Sequence, residues 1–180
     1  YQGDPENILP ASGVDLDFFQ NNNYHLDQDT AIRILFIGRL IRDKGIIEFL
    51  EAAQSISNKH LNVEFQIYGE LDRYNPSSIS QSKVNSYLSD RILCMGNISD
   101  IRQALKSAHC VVLPSYREGM SRSLLEAAAS GIPIIATDVP GCREIVSDEV
   151  NGYLCLVKDS SDLASKIEKF LSLTLDQRKI

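Results

Sequence analysis

Four stretches of this sequence place functional side chains at spacings that chemistry can use. In Gly38-Arg39-Leu40-Ile41-Arg42-Asp43-Lys44-Gly45, a glycine that lets the backbone turn sharply precedes two cations, Arg39 and Lys44. A guanidinium forks onto phosphate oxygens and an ammonium adds a point charge, so together they could neutralise a diphosphate. The competing reading is a pair of solvated surface charges. In the stretch 114–131, Gly119 breaks the chain just before an Ala- and Leu-rich run. Free N–H groups and the positive end of a helix dipole there make an anion site, and Ser121 or Ser123 can cap the helix. Glu118 and Glu126 flank that helix start. A carboxylate accepts hydroxyls of a sugar or ribose without reacting with them. Leu124-Leu125 and Ala127-Ala128-Ala129 predict that Glu126 is buried, and a buried carboxylate without a partner is costly, which favours a ligand role. Where Glu118 points depends on the loop. Asp138 and Glu144 are further acids, with Glu144 expected to be a capping or solvated group.

Other chemistries lack their residues. His25, His60 and His109 do not cluster; His60 reads as surface and His109 as structural. There is no Ser/His/Asp set, Walker loop, G-x-G-x-x-G or metal-ligand spacing, so no metal or other cofactor is expected. Cys94, Cys110, Cys142 and Cys155 form no C-x-x-C pair and are expected to be small buried hydrophobes, a structural disulfide being the alternative. The net charge of −6 is spread along the chain, which argues against nucleic-acid binding. No apolar run is long enough for a membrane-spanning helix, and no secretory signal is visible.

These residues need a scaffold, and the apolar pattern supplies one. Strand-sized apolar runs fall at 31–38, 63–69, 91–96, 109–114, 132–137 and 152–157. Between them, helical spacing marks 44–57, a run from Ser99-Asp100 to about Ala108, 121–130, a short turn at 141–146, and an amphipathic helix at 161–173; part of 84–88 is a weaker helix candidate. Alternating strands and helices with continuously apolar strands predict an α/β fold: a Rossmann-like parallel sheet with helices on both faces. Ligands in such sheets lie outside the carboxyl ends of the strands, where the residues above fall. Residues 1–30, including Asn21-Asn22-Asn23, read as a linker or arm that packs on the later core. Residues 31–180 read as one domain, and the whole as a piece of a longer protein.

Taken together, Gly38-Arg39-Leu40 with Lys44-Gly45, Pro114-Ser115 with Arg117-Glu118-Gly119 and Glu126-Ala127, Gly131 with Pro133, and Thr137-Asp138-Val139-Pro140-Gly141-Cys142-Arg143-Glu144 resemble the C-terminal domain of retaining GT-B glycosyltransferases of family four, group 1. The resemblance spans about residues 8–173, with 8–18 similar to the segment that leaves the N-terminal domain. It implies that Arg39 and Lys44, behind Gly38, hold the donor diphosphate and that the N–H groups of Gly119, Met120, Ser121 and Arg122 support it. It implies that Glu118 contacts the transferred sugar, that Glu126 binds the ribose, and that Met95, Gly96 and Asn97 with Ile98 lie by the base. The implied catalytic set is Glu118, Arg39 and Lys44, with a UDP-sugar donor and no metal. The implied acceptor is a sugar or lipid-linked sugar held by the missing N-terminal domain. The implied location is cytoplasmic, any contact with the inner membrane being made through that domain. The sequence departs from the family at Met120-Ser121 and at Glu70-Leu71-Asp72, where a second glycine is usual; the latter alters the base pocket. Members that build capsule, O-antigen or other surface polysaccharides are most similar. A non-catalytic nucleotide-binding module and a UDP-sugar 2-epimerase of GT-B shape stay open as alternatives.

Overall fold

The computed structural model describes residues 13–19, 31–174 and 176–178. Expectations for 1–12, 20–30 and the last two residues lie outside the described residues. Six parallel strands, β1 (Ile32–Ile37), β2 (Val63–Tyr68), β3 (Ile92–Gly96), β4 (Cys110–Leu113), β5 (Ile134–Thr137) and β6 (Gly152–Cys155), form one sheet in the order β3-β2-β1-β4-β5-β6. Strands β4 and β5 are buried along their whole length, as their unbroken apolar sequences require.

The helices are α1 (Leu16–Phe19), α2 (Ile46–Ser57), α3 (Gln81–Asn85), α4 (Arg102–Leu105), α5 (Arg122–Ala129), α6 (Pro140–Arg143) and α7 (Ser160–Leu171). The chain steps from β1 outward through α2 to β2, and from β4 the opposite way through α5 to β5. Right-handed crossovers therefore put α2 and α5 on opposite faces. Helix α7 returns to pack along α2, where Lys59 and His60 bind Glu168 at 3.2 and 2.7 Å. Phe36, Phe49 and Phe65 stack between β1, α2 and β2 with ring centroids 5.3 and 5.8 Å apart. Each buries a side chain worth about 1.5–3 kcal/mol.

Several expectations shift. The helix expected from Ser99-Asp100 to Ala108 shortens to α4, although Asp100 does accept the Arg102 N–H at 3.1 Å. The weak candidate at 84–88 moves upstream to α3, because the Ser80 hydroxyl caps it through the Lys83 N–H. Cys110, Cys142 and Cys155 are buried and free, but Cys94 is free and exposed, since β3 is an edge strand whose outer residues meet solvent. His109 is buried, and its Nδ1 accepts the Arg33 N–H at 3.0 Å. Among the described residues of the expected arm, α1 packs on α5, and the Ser130 hydroxyl donates to the Phe19 carbonyl at 3.1 Å. No helix of the described residues is long and apolar enough to cross a membrane.

Candidate functional site

The strand order reverses between β1 and β4, so the loops leaving their carboxyl ends diverge and open a crevice. After β1 the chain runs through Gly38 into a 3-10 turn, Arg42–Lys44, and then Gly45. Gly45 adopts φ 71°, and a Cβ there would lie 2.0 Å from the Pro114 carbonyl oxygen. Only glycine lets the β1 loop approach the β4 loop this closely. After β4, residues 114–121 lead into α5.

Two adjoining lobes fill the crevice. One, of about 460 Å³, is bounded by Gly38, Arg39, Gly69, Asn97, Ile98 and Ser99, together with Arg122 and Glu126. The other, of about 360 Å³, is bounded by Lys44, Glu118, Met120, Ser121 and Ser123, again with Gly38, Arg122 and Glu126. Each is large enough for part of a nucleotide-sized ligand. Gly38, Arg122 and Glu126 border both, so they mark the junction.

The Glu118 side chain is only 7% exposed, and its Oε1 accepts from Lys44 Nζ at 2.5 Å and from Ser115 Oγ at 2.6 Å. Both donors fall on one oxygen. Arg39 points to the side, donating from Nη1 to Asp72 Oδ2 at 2.8 Å, and is itself 59% exposed. Both cations expected to stand ready for a diphosphate are thus paired with carboxylates in the free protein. The departure at Glu70-Leu71-Asp72 is the reason for the second pair: it supplies an acid where the sequence reading expected only a changed pocket shape. Glu126 is half-buried, as are Leu125 and Ala129, while Ala128 is exposed; full burial is confined to Leu124 and Ala127. Burial raises the Glu126 carboxyl above its ordinary range, and the nearby Arg122 partly offsets this.

Ser121 is the residue before α5, yet its hydroxyl faces Ser123 Oγ at 3.1 Å and caps no backbone N–H. The expected side-chain cap is therefore absent, since the two hydroxyls satisfy each other. Asn97 and Ile98 line the crevice, whereas Met95 is 48% exposed and Gly96 instead accepts the Gly69 N–H at 2.8 Å. Met95 falls where the register slips, Ile67 pairing with Cys94 and Tyr68 with Gly96, so it is the extra residue of a bulge in β3. Gly119 is exposed at the loop tip. Asp138 and Arg143 pair with each other, which holds the Asp138 carboxyl below the ordinary range, and Glu144 is solvent-exposed.

Two residues were missed as site builders. Ser115, fully buried, orients Glu118; its backbone carbonyl accepts from Thr137 Oγ1. Gly141, in α6, lets that helix touch the Glu118 and Gly119 carbonyls; a Cβ there would lie 1.7 Å from the Gly119 oxygen. A serine three residues before an acid signals a local hydroxyl–carboxylate bond, but nothing in the sequence signals the approach of α6. Among the described residues, no group of three or more His, Cys, Asp or Glu side chains is arranged to hold a metal.

Comparison with known proteins agrees with this layout. Residues 31–172 match the family model described as glycosyl transferases group 1. The chain is 35% identical over 156 residues to an N,N'-diacetylbacillosaminyl-diphospho-undecaprenol alpha-1,3-N-acetylgalactosaminyltransferase of Campylobacter jejuni, covering 87% of this chain and 39% of that protein. It is 33% identical over 144 residues to a UDP-Gal:alpha-D-GlcNAc-diphosphoundecaprenol alpha-1,3-galactosyltransferase of Escherichia coli, covering 78% and 36%. The chain thus spans well under half the length of these relatives. A crystal structure of the C-terminal domain of a group 1 family glycosyl transferase from Francisella tularensis superposes with a TM-score of 0.75 and 31% identity, over 93% of this chain and 92% of that one. With the Rossmann-like sheet, the crevice at its switch point and the family match in agreement, the chain belongs to the group 1 glycosyltransferases, as the Rossmann-like half of their GT-B fold.

Proposed function

We propose that this chain is the donor-binding domain of a retaining glycosyltransferase that moves a sugar from a UDP-sugar to a sugar or lipid-linked sugar in surface glycoconjugate synthesis. The observation that carries the reading is the convergence of Arg39, Lys44, Glu118, Arg122 and Glu126 on two adjoining lobes of one crevice, with Gly38, Arg122 and Glu126 at the junction. Cations and carboxylates gathered there suit a ligand that carries a diphosphate between two hydroxyl-bearing rings. The name of the relative from Escherichia coli specifies UDP-Gal, and both relatives' names describe undecaprenol-linked diphosphates.

In this reading the bond between the sugar and the diphosphate weakens first, and negative charge grows on the leaving diphosphate. Arg39 and Lys44 turn from Asp72 and Glu118 to meet it, and the N-terminus of α5 adds its N–H groups. Release of Lys44 frees Glu118 Oε1 for the sugar hydroxyls. The cations do the neutralising, so no metal is called for. The acceptor arrives from the rest of the protein, so the isolated chain binds donor without transferring it.

Calorimetric titration of the chain with UDP and with uridine tests this. UDP is expected to bind more tightly than uridine, and Arg39→Ala to weaken UDP more than uridine. Absence of UDP binding at millimolar concentration overturns the reading; equal loss for both ligands removes the phosphate role of Arg39.

A further inference from the structure

Glu48 is an acid in an unfavourable place. It lies in the first turn of α2, is only 9% exposed, and its Oε2 is buried without a hydrogen-bond partner. Its Oε1 accepts from the Tyr116 hydroxyl at 2.7 Å. The helix dipole favours an acid at this position, but an apolar side chain of similar volume would avoid the desolvation cost altogether. Stability alone gives little reason for a carboxylate there. What it does hold is Tyr116, two residues before Glu118 and next to Ser115.

Tyr116 is fixed on three sides. Its N–H donates to the Asp43 carbonyl at 2.8 Å, its hydroxyl to Glu48, and Lys158 Nζ lies 4.8 Å from the ring centroid. Lys158 holds a positive φ of 60°, a conformation that costs a non-glycine residue energy and persists only where its surroundings enforce it. Burial and the adjacent Glu48 carboxylate push the Tyr116 phenol well above its ordinary range, so it remains a donor at any working pH.

The other ties between the loops after β1 and β4 are less durable. Arg117 to Asp43, at 3.3 Å, involves a guanidinium that is 86% exposed and contributes little. Lys44 to Glu118 is the pair that a diphosphate must separate. Neither Glu48 nor Tyr116 borders the crevice, so a ligand leaves their bond intact.

We propose that Glu48 and Tyr116 form a buried strut that positions Glu118 for the donor sugar, keeping the loop in place when the diphosphate draws Lys44 away. The proposal rests on the donor-binding reading and adds two positioning residues to it. It predicts that the strut governs binding of the sugar but not of the nucleotide.

The test measures dissociation constants of the 180-residue chain for UDP, UDP-galactose and UDP-N-acetylgalactosamine. Tyr116→Phe and Glu48→Ala are expected to leave UDP within about twofold, and to weaken the tighter-binding sugar nucleotide about 10- to 150-fold, the worth of a charge-assisted hydrogen bond. Glu48→Gln keeps an acceptor for the phenol and is expected to retain wild-type discrimination, even where its melting temperature changes. Equal weakening of UDP and sugar nucleotide, or no weakening of either, overturns the strut. So does a wild-type chain that binds UDP but neither sugar nucleotide. A wild-type chain that does not bind UDP at all defeats the donor-binding reading instead. Amide hydrogen exchange across 114–121 gives a readout without ligand: faster in Tyr116→Phe, unchanged in Glu48→Gln, with unchanged exchange in Tyr116→Phe overturning the strut.

Discussion

Replacing Gly141 by alanine perturbs Glu118 from a helix that carries none of its partners. A Cβ at position 141 would lie 1.7 Å from the Gly119 oxygen and 2.5 Å from the Glu118 oxygen. Carbon and carbonyl oxygen do not settle closer than about 3.3 Å, so α6 and the loop must part by roughly 1.6 Å. Lys44 and Ser115 hold Glu118 at 2.5 and 2.6 Å, and a shift of that size carries both beyond hydrogen-bond reach. Each bond to the charged carboxylate is worth about 1.5–3 kcal/mol. Gly141 itself is buried, so overpacking costs about 1–3 kcal/mol of stability. For a chain of this length that lowers Tm by roughly 3–10 °C. Calorimetry on the folded Gly141→Ala protein should show sugar-nucleotide binding weakened tenfold or more, UDP weakened less, and uridine unchanged. A variant that melts with the wild type and binds UDP-sugar equally well would refute the close approach and the role assigned to it.

Glu126→Ala should weaken UDP and uridine alike by about 1–2 kcal/mol, since the lost hydrogen bonds go to the ribose they share; unchanged affinity in a titration removes that assignment. His109 gives a pH dependence with a defined sign. Burial, then Arg33 and Arg178, lower its pKa from 6.5 to about 4, so the folded state holds it neutral while the unfolded chain takes up a proton. Stability is therefore complete above about pH 6.5 and falls as pH drops toward about 4, by at most about 3 kcal/mol. Urea unfolding of His109→Gln should show a shallower loss over that window, and an identical slope would exclude His109 as its source.

The sheet was legible because burial on both faces leaves an unmistakable trace: 109–114 and 132–137 read as buried strands and are buried strands. Helices of one turn were less legible. The α4 run carries a helical pattern past Leu105, but there the chain tightens into three-residue turns, Ser107 N–H to the Ala104 carbonyl at 3.2 Å and Ala108 N–H to the Leu105 carbonyl at 3.1 Å. At the site, residue types pointed to the crevice, and Gly38, Lys44, Glu118, Arg122 and Glu126 do meet there. The pairing state did not show in the sequence. Asp72 lies 33 residues from Arg39 and Glu118 lies 74 from Lys44, so only the packing of separate loops decides which carboxylate meets which cation. Glu48 and Tyr116, 68 residues apart, were invisible for the same reason. Cys94 was misjudged because edge position depends on strand order, which the apolar pattern does not encode.

Amide chemical shifts of the nitrogen-15-labelled chain, followed as UDP is added, would locate the ligand directly. Convergence of the two loops predicts the largest shifts at Gly38, Asn97, Gly119, Arg122 and Glu126. Shifts confined to the amino-terminal end of the strands, around His60 and Leu61, or to the surface beneath α1 would contradict it.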